Sequence, residues 1–567
     1  MLSFKRFLYI VLIVAVLGGI FLIYSVHESR PASAAIQSSP APEPVFMEEE
    51  QVDEGEKPRV WILGDPGDGC CGEIYSNVRY FCEDIHLSVI REEYFDIGGT
   101  EDRDLVIFCD DSISPYADLE DLEEFIAGGG RVILAAGLSG EDEDSCLWPV
   151  FGIQKRSEGE DYHDLIFEKP LFPVQPERVY YGGNSGSARI EVDDDASVYI
   201  RDAVNGVPIL HTYVWQEGSV CLINGNFLTD IRCMGLLSGA VGAVLPDFIY
   251  PVLGIKVVFL DNFPMATSAD DALCRQIYGY SADGLIRDVV WPAFQGISLR
   301  TETPYTFSVL AAASSGEVFG EADDALFTAV GRSVLQFGGE LVYAGDCRGN
   351  GEIVFRQDLF DRFSEVFPDY TVRGMVMKTD DFSPEMLDVP GADIRFVRGT
   401  LGSRNIQLSP RDEYTVFPEA TAGNSMEDGN LFAVYSVLGA YGMISHEFDA
   451  GTLLVGEGDT AVWEFYKKQI GLFESEVLAR VPWLEGRTLS RTGGDIKSYR
   501  DMDYGWTRNG NCMELYCSGA IKGQAFFFHT GGRIADAEGL TYQDAGNGYY
   551  LLRVQENRGI IMLEEEE

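Results

Sequence analysis

A short apolar stretch in the middle of the chain ends in two polar residues. Val257 to Leu260 are apolar and partly β-branched, and Gly254 and Pro264 bound a stretch too short for a helix, which predicts a buried strand. Asp261 and Asn262 follow directly. Ligands and catalytic groups commonly lie at the carboxyl ends of parallel strands, because loops there vary while the sheet stays rigid. We therefore expect an active-site edge here, with an Asp that caps the next turn as the alternative.

Further polar residues follow other predicted strands, and one of them is a histidine. Asp346 and Glu419 stand at two such ends, and the sequence from Ser445 through His446 to Asp449 stands at a third. The chain has six histidines, and His446 is the one predicted at a strand end. A histidine and carboxylates on one rim would hold a divalent metal that activates water, with a spare carboxylate as general base. The alternative is a hydrogen-bonded structural histidine.

These candidate residues belong to a region of repeated apolar runs separated by helical patterns. Such repeats predict a (β/α) barrel over residues 254–484. The helical pattern from Thr460 to Ala479 would close it. After the opening strand, the predicted strands are Tyr305 to Ala313, Glu340 to Gly345, Asp393 to Val397, Tyr414 to Phe417 and Gly439 to Ser445.

The regions on either side of the barrel have different patterns, and the chain as a whole is predicted to be α/β. Residues 58–253 begin with alternating strands and helices, which indicates a parallel, flavodoxin-like or doubly wound layer. Its order of strand, acidic helix, triple glycine and strand resembles glutamine-amidotransferase-like domains, but their catalytic Cys with a following His is missing. A pseudo-enzyme or a spacing domain is therefore expected. Residues 485–567 carry short strands and Gly-rich turns, which predict a β-sandwich.

The first residues of the chain predict its compartment. Lys5 and Arg6 precede an uncharged apolar run from Phe7 to Val26, which is long enough to span a bilayer. Basic residues ahead of such a run stay in the cytoplasm. We therefore expect residues 1–30 to be a single-pass signal anchor in the cell membrane, residues 31–57 to be a disordered linker, and the bulk to be extracytoplasmic. A signal peptide removed after an Ala-Ser-Ala sequence is the alternative.

The charge balance restricts the choice of partners. The chain has 567 residues, with 42 basic against 91 acidic ones, for a formal net charge of -49. Such a surface repels nucleic acid and anionic membranes and favours cations, metal ions or a cationic polymer. A solvated acidic exterior that maintains solubility is the simpler explanation of the same charge. We therefore expect no nucleic-acid partner.

Four sequence features together resemble a known family. They are the N-terminal anchor, Val220 to Leu245 running into Ile249-Tyr250-Pro251, the strand that ends in Leu-Asp-Asn-Phe-Pro264, and Gly442 to Asp449. With them the chain resembles membrane-anchored bacterial proteins of unknown function that are linked to Pel-type exopolysaccharide gene clusters. Their barrel is of the glycoside hydrolase/deacetylase superfamily. The wider kinship is to NodB-homology polysaccharide deacetylases, which remove N-acetyl groups from amino sugars with a metal.

That kinship implies a role for each matching residue. Asp261 matches the catalytic base, Asn262 matches a metal-binding Asp, and His446 matches the first histidine of the second motif. The partner histidine would lie four residues on, where this chain has Ala450, preceded by Asp449. An Asn ligates through its carbonyl oxygen without charge, which weakens a site. The resemblance thus implies either a remodelled site of Asp261, His446 and Asp449 or a groove that only binds glycan.

The favoured hypothesis is a divergent metal-dependent polysaccharide N-deacetylase of exopolysaccharide biosynthesis. Its catalytic residues would be Asp261 and Asp346, and its metal, zinc first, would be held by Asn262, His446 and Asp449. Glycoside hydrolysis on the same barrel is an alternative, with two carboxylates among Asp261, Asp346 and Glu419 roughly 5 to 9.5 Å apart. A non-catalytic glycan-binding scaffold is another. The expected partners are a polysaccharide, which a cationic character would suit, the membrane, and the exopolysaccharide synthesis machinery.

Overall fold

The structure is a computed structural model that describes most of the chain. The predicted anchor from Phe7 to Val26 and most of the predicted linker lie outside the described residues. Within those residues, no helix has the length and apolar character needed to cross a membrane. The described residues are 45–47, 57–101, 104–138, 144–264, 266–267, 271–308, 320–321, 324–344, 346–347, 353–354, 357–377, 387, 391–400, 408–410, 414–426, 429–456 and 460–564.

The region before the barrel contains a mixed sheet of nine strands. In its parallel half the strands are largely buried on both faces, except for the edge strand Ser88–Ile90, and this burial explains their short apolar runs. In spatial order these strands are Ser88–Ile90, Arg59–Leu63, Leu105–Phe108, Arg131–Leu134 and Gly218–Ile223. The antiparallel half continues with Pro208–Trp215, Ser197–Asp202, Ile153–Phe167 and Arg178–Val192. The helices of this region are Gly69–Asp84, Leu119–Ala127 and Met234–Val244. The flavodoxin-like or amidotransferase-like assignment stays a prediction.

Eight parallel strands form a nearly closed barrel, numbered β1 to β8 in chain order. They are β1 Ile255–Asp261, β2 Tyr305–Ser308, β3 Glu340–Ala344, β4 Gly374–Val376, β5 Phe396–Thr400, β6 Thr415–Glu419, β7 Thr421–Ala422 and β8 Met443–Asp449. Neighbours follow chain order from β1 to β6, and β8 pairs with the other side of β1. Because β7 follows β6 after one residue and pairs with β8, the ring is nearly closed. The predicted barrel is therefore confirmed.

Helices and short strands surround the barrel. Its helices are Asp271–Tyr278, Ala282–Leu285, Trp291–Thr301, Asp324–Gln336, Gln357–Val366, Asn430–Tyr441, Trp463–Glu476 and Gly493–Asp501, with a π-helical turn at Ile286–Val290. The two- and three-residue strands are Ala266–Thr267, Gly320–Glu321, Asp346–Cys347, Ile353–Val354, Ser409–Pro410, Val455–Gly456, Thr460–Ala461 and Glu485–Arg487.

One predicted strand is partly wrong. The sequence predicts a strand over Gly439 to Ser445, but residues up to Tyr441 belong to the helix Asn430–Tyr441. Gly442 ends this helix with a φ of 59°, a left-handed conformation that glycine adopts readily and that commonly terminates helices. The strand β8 therefore starts at Met443 and continues to Asp449, four residues beyond the predicted end.

Two four-stranded antiparallel sheets make up the end of the chain. One has the order Asp503–Asn509, Cys512–Ser518, Arg558–Leu563 and Ile534–Glu538. The other has the order Phe248–Val252, Ala525–His529, Tyr549–Val554 and Leu540–Gly546. Its first strand thus comes from the residues just before the barrel, ahead of the predicted start of the last domain at residue 485. Whether the two sheets pack as a β-sandwich stays a prediction.

The region before the barrel contacts the barrel through a pair of helices. Helix Met234–Val244 lies against helix Asn430–Tyr441, and Gly235 donates its backbone N–H to Ser436 Oγ at 3.0 Å. A Cβ added at Gly235 would lie 2.3 Å from the carbonyl oxygen of Ser436. The absence of a side chain at Gly235 therefore permits this close approach.

Candidate functional site

The interior of the barrel contains a buried arginine that touches three carboxylates. Arg398 of β5 is fully buried and donates from Nη1 to Asp261 Oδ1 at 3.1 Å and from Nη2 to Asp261 Oδ2 at 2.7 Å. Its Nη2 also lies 3.4 Å from Glu419 Oε2 and 3.7 Å from Glu447 Oε2. Because β5 and β1 are not neighbours in the sheet, these contacts cross the barrel interior. We call Asp261, Arg398, Glu419 and Glu447 the Arg398 cluster.

The Arg398 cluster lies towards the carboxyl ends of the strands. Asp261 is the last residue of β1 and Glu419 is the last residue of β6, whereas Glu447 stands two residues before the end of β8. Asp261 is completely buried, but 11% of the Glu419 side chain and 9% of the Glu447 side chain remain accessible. The two glutamates are therefore the carboxylates of the cluster that a substrate at the barrel mouth can reach.

Hydrogen bonds and charge hold Asp261 and Arg398 in place. Ser308 at the end of β2 donates its hydroxyl to Asp261 Oδ1 at 2.8 Å. Burial acts to lower the pKa of Arg398, but attraction to Asp261 and to the two glutamates outweighs it and raises that pKa. The guanidinium is therefore permanently charged, and a buried charge of this kind is tolerated because it is paired and hydrogen-bonded.

Asn262 and Asp449 form a second polar pair next to the cluster. Asn262 has a φ of 57° and donates from Nδ2 to Asp449 Oδ1 at 2.7 Å. The same oxygen accepts the backbone N–H of Gly451 at 2.9 Å. Two buried atoms, Asn262 Oδ1 and Arg398 Nε, have no hydrogen-bond partner among the described residues. Buried polar atoms are nearly always satisfied, so this acceptor and this donor at the end of the barrel are each suited to bind a water molecule.

His446 lies on the other face of the sheet. In the register of β1 and β8, Asp449 is opposite Asp261, whereas His446 is opposite Val258. Side chains alternate along a strand, so His446 faces away from the interior that Asp261 occupies. Its ring packs on Phe473 of helix Trp463–Glu476, with 4.7 Å between ring centroids.

Both ring nitrogens of His446 are occupied by protein atoms. Nε2 lies 3.1 Å from the carbonyl oxygen of Gly423, which only accepts, so Nε2 carries the proton. Nδ1 then accepts the hydroxyl of Thr421 at 2.8 Å. Burial lowers the pKa of His446 to about 3. The imidazole is therefore neutral at physiological pH and is fully used in packing and hydrogen bonding.

The predicted metal ligands do not fit a single ion in this structure. Asn262 and Asp449 lie together, but His446 points to the opposite face of β8 and has no free nitrogen. The side chain of the predicted catalytic Asp346 lies outside the described residues. Across the described part of the chain, one group of three potential ligands has its atoms within 4.8 Å of one another, and it belongs to the nine-stranded sheet: Asp68, Cys71 and Asp110.

Sequence reasoning placed Asp261, Asn262, Glu419 and Asp449 at one rim, and the structure brings them to the carboxyl end of the barrel. It missed Arg398. The available signal was a charged residue inside the apolar run Phe396-Val-Arg-Gly-Thr400, because an arginine in a buried strand requires an acidic partner.

The fold and cluster define a (β/α) barrel with a charged site at its carboxyl end, flanked by sheets on both sides. Residues 80–323 match the model of a family described as "Uncharacterised protein conserved in bacteria (DUF2194)". The crystal structure of Agd3, a novel carbohydrate deacetylase, is similar over 90% of this chain and 99% of that chain, with a TM-score of 0.50 and 10% identity. At that identity the likeness concerns the fold alone.

Other solved structures are similar over shorter parts of the chain. A putative ThuA-like protein from Bacteroides uniformis is 10% identical, with a TM-score of 0.27, over 35% of this chain and 94% of that one. A β-galactosidase from Bacillus circulans sp. alkalophilus is 14% identical, with a TM-score of 0.25, over 35% of this chain and 34% of that one. Such partial likenesses carry no argument about function. No curated protein sequence matches the chain.

Proposed function

We propose that this protein modifies a polysaccharide at the carboxyl end of its barrel, by hydrolysing an acyl group from a sugar unit. The observation that carries the proposal is the Arg398 cluster, which places two partly accessible glutamates beside a fixed positive charge at the end of the barrel where substrates bind. A fold shared with a carbohydrate deacetylase over nearly the whole of both chains supports the choice of substrate.

Two buried atoms at the site can bind a water molecule. Within the part of the chain that the structure describes, Arg398 Nε is a donor without a partner and Asn262 Oδ1 is an acceptor without a partner. Burial closes both atoms to a sugar, but a water molecule both donates and accepts and can satisfy either atom.

Acyl hydrolysis at this site needs a side chain that accepts one proton and later returns it. Glu419 or Glu447 accepts a proton from the attacking water as its oxygen forms a bond to the acyl carbon. The bond from the acyl carbon to the sugar nitrogen then breaks, the nitrogen takes the proton back and leaves as an amine, and the acyl group leaves as a carboxylic acid that ionises by giving its proton to the amine or to water. Asp261, which Arg398 and Ser308 enclose, positions the guanidinium rather than contacting the substrate.

Glycoside hydrolysis is a second candidate that one observation favours. Oxygens of Asp261, Glu419 and Glu447 all lie within 3.7 Å of one nitrogen, so these carboxylates are close together. Retaining glycosidases use carboxyl groups roughly 5–5.5 Å apart. The same cluster would then act as nucleophile and acid–base catalyst on the bond between sugar units.

One assay separates these reactions. The full chain is incubated with partly N-acetylated oligosaccharides of glucosamine and galactosamine, and released acetate and new reducing ends are both measured. Acetate release that falls about 100-fold or more in Glu447→Gln or Glu419→Gln supports acyl hydrolysis. Glu538→Gln, an exposed residue in a distant sheet, is the matched control and should keep full activity. New reducing ends without acetate identify a glycosidase, and saturable binding without either product identifies a glycan-binding scaffold.

We also propose that the protein is anchored in the cell membrane. Anchoring through Phe7 to Val26 would place the barrel outside the cytoplasm, next to the machinery that makes an exopolysaccharide. Protease added to intact cells should then degrade the chain, and carbonate at high pH should leave it in the membrane fraction. A chain protected in intact cells and released by carbonate would contradict both parts.

A further inference from the structure

We propose that the cation around which this barrel site is built is the guanidinium of Arg398 itself, in place of a divalent metal ion. The inference concerns the same site as the proposed function and deepens it. Its test measures metal binding and not turnover, so either proposal can fail while the other stands.

Carboxylate oxygens of three residues surround one nitrogen of Arg398. Nη2 of Arg398 has carboxylate oxygens of Asp261, Glu419 and Glu447 at 2.7, 3.4 and 3.7 Å. Three acidic oxygens surround one point but are not all within 4.8 Å of one another, so they lie further apart than the ligands of a zinc ion, whose metal–oxygen distances are about 2.0–2.2 Å. Here a nitrogen occupies that point, and its neighbours stand at hydrogen-bond and ion-pair distances.

The guanidinium of Arg398 lies over an aromatic ring. The guanidinium carbon of Arg398 is 4.7 Å from the centre of the Phe259 ring. A planar, weakly hydrated guanidinium stacks well on an aromatic face, whereas a small divalent ion needs oxygen, nitrogen or sulfur ligands on all sides. Phe259 and Asp261 are both on the interior face of β1, so the strand presents an apolar platform and a carboxylate together.

Two residues that could bind a metal, His446 and Asp449, form hydrogen bonds with other protein groups. A zinc site commonly uses imidazole, but His446 faces the surrounding helices with both nitrogens bonded to Thr421 and Gly423. Asp449, the remaining acidic residue on the interior face of β8, already accepts from Asn262 and Gly451 through Oδ1. Both nitrogens of His446 and one carboxylate oxygen of Asp449 are thus engaged with protein atoms.

A consequence follows for the charge of the site. Replacing Arg398 by methionine keeps an apolar stem above Phe259 but removes the positive charge. Three carboxylates then face one another in the barrel interior, where like charges repel strongly. A divalent cation would relieve that repulsion, so the variant should acquire a metal site that the natural protein lacks.

The experiment measures bound metal in the full chain. Wild type, Arg398→Met and Arg398→Lys are incubated with zinc or manganese, freed of unbound ions by gel filtration and analysed by elemental mass spectrometry. All are made with Asp68→Asn and Cys71→Ala, because those residues and Asp110 could bind metal independently. The melting temperature is recorded with metal and with chelator. Arg395→Met, which removes an exposed arginine three residues away, is the control.

The expected result is no stoichiometric ion in wild type, Arg398→Lys or Arg395→Met, and about one divalent ion per chain in Arg398→Met, with a melting temperature that rises on adding metal. A stoichiometric ion in wild type that His446→Ala or Asp449→Asn removes would overturn the proposal. So would a folded Arg398→Met chain that binds no ion. If Arg398→Met does not fold, the wild-type measurement and its His446→Ala and Asp449→Asn variants decide the matter.

Discussion

Arg398 and Asp261 stand on strands that are not neighbours and bond to each other across the barrel through two nitrogens and two oxygens. Both side chains are fully buried, and the Nη2 to Oδ2 distance is 2.7 Å. The pair therefore connects opposite walls of the barrel, and its geometry is the two-pronged one that makes arginine–carboxylate pairs specific. It also fixes the charge against which Glu419 and Glu447 are placed.

Removal of the Asp261 charge should destabilise the fold. Asp261→Asn keeps the size of the side chain but leaves a buried guanidinium with weaker partners, and breaking a buried pair costs about 3–5 kcal/mol. We expect the free energy of unfolding to fall by about 3 kcal/mol, at the low end of that range, because Glu419 and Glu447 still contact the guanidinium. Urea unfolding measures the change. Asp393→Asn, whose arginine partner is exposed, is the control and should cost about 1 kcal/mol or less. Equal effects of the two substitutions would refute the role given to the buried pair.

His446 should make stability depend on pH in the acid range. Its pKa is about 3 in the folded chain because of burial, against an ordinary value of 6.5. Between these values the unfolded chain binds more protons than the folded one, so stability contributed by His446 is present above pH 6.5 and is lost as pH falls towards 3. The slope from this group is about 1.4 kcal/mol per pH unit within that window.

The measurement compares the free energy of unfolding of wild type and His446→Gln at several pH values from 4 to 7. Gln keeps a donor and an acceptor near Thr421 and Gly423 but does not titrate. Other buried histidines affect both chains equally, so the difference isolates His446. A difference that stays constant over this range would contradict the predicted burial and hydrogen bonding of the ring.

Lys256 should have the corresponding effect in the alkaline range. Burial lowers its pKa to about 8, with Glu302 opposing the shift, and its Nζ donates to the carbonyl of Thr301 at 2.8 Å. Between about 8 and 10.5 the folded chain binds fewer protons than the unfolded one, so stability rises with pH there and falls as pH drops through 8. In urea unfolding, the free energy of unfolding of wild type should rise relative to that of Lys256→Met between pH 8 and pH 10. A parallel dependence of both chains would show that the amine is not buried.

The contact between the first region and the barrel should be sensitive to a single methyl group. Gly235→Ala places a Cβ 2.3 Å from the Ser436 carbonyl, so the helices must separate. We expect a loss of about 1–3 kcal/mol, as for other overpacked sites. Gly471→Ala, in a barrel helix where nothing lies within 4 Å, is the matched control and should be neutral or slightly stabilising. Thermal unfolding of both variants tests this.

The opening strand of the barrel was predictable because its pattern is local. Val257 to Leu260 are apolar, Gly254 and Pro264 bound them, and the structure places a buried strand there that ends at Asp261. The strand that carries Arg398 was predicted over Asp393 to Val397 and is observed over Phe396–Thr400. That shift left Arg398 outside the prediction, since the bounds of β5 follow from its pairing with β4 and β6 and not from its own residues.

The orientation of His446 was not predictable for a different reason. All residues of β8 from Met443 to Phe448 are buried, so an apolar face and a polar face do not alternate visibly in the sequence. Only the register with β1 decides that Glu447 faces inward and His446 outward. A family motif identified from the sequence alone does not show how β8 pairs with β1.

The strand Phe248–Val252 leaves the ribosome long before the strand Ala525–His529 that completes its sheet. The hydrogen bond from Gln524 to the Val252 carbonyl joins residues 272 positions apart. Until the end of the chain is synthesised, a fully apolar five-residue strand stays without a partner, and unpaired strands of this kind promote aggregation during folding. Truncated chains that contain the whole barrel but lack Ala525–His529 should therefore be poor starting material for isolating the barrel.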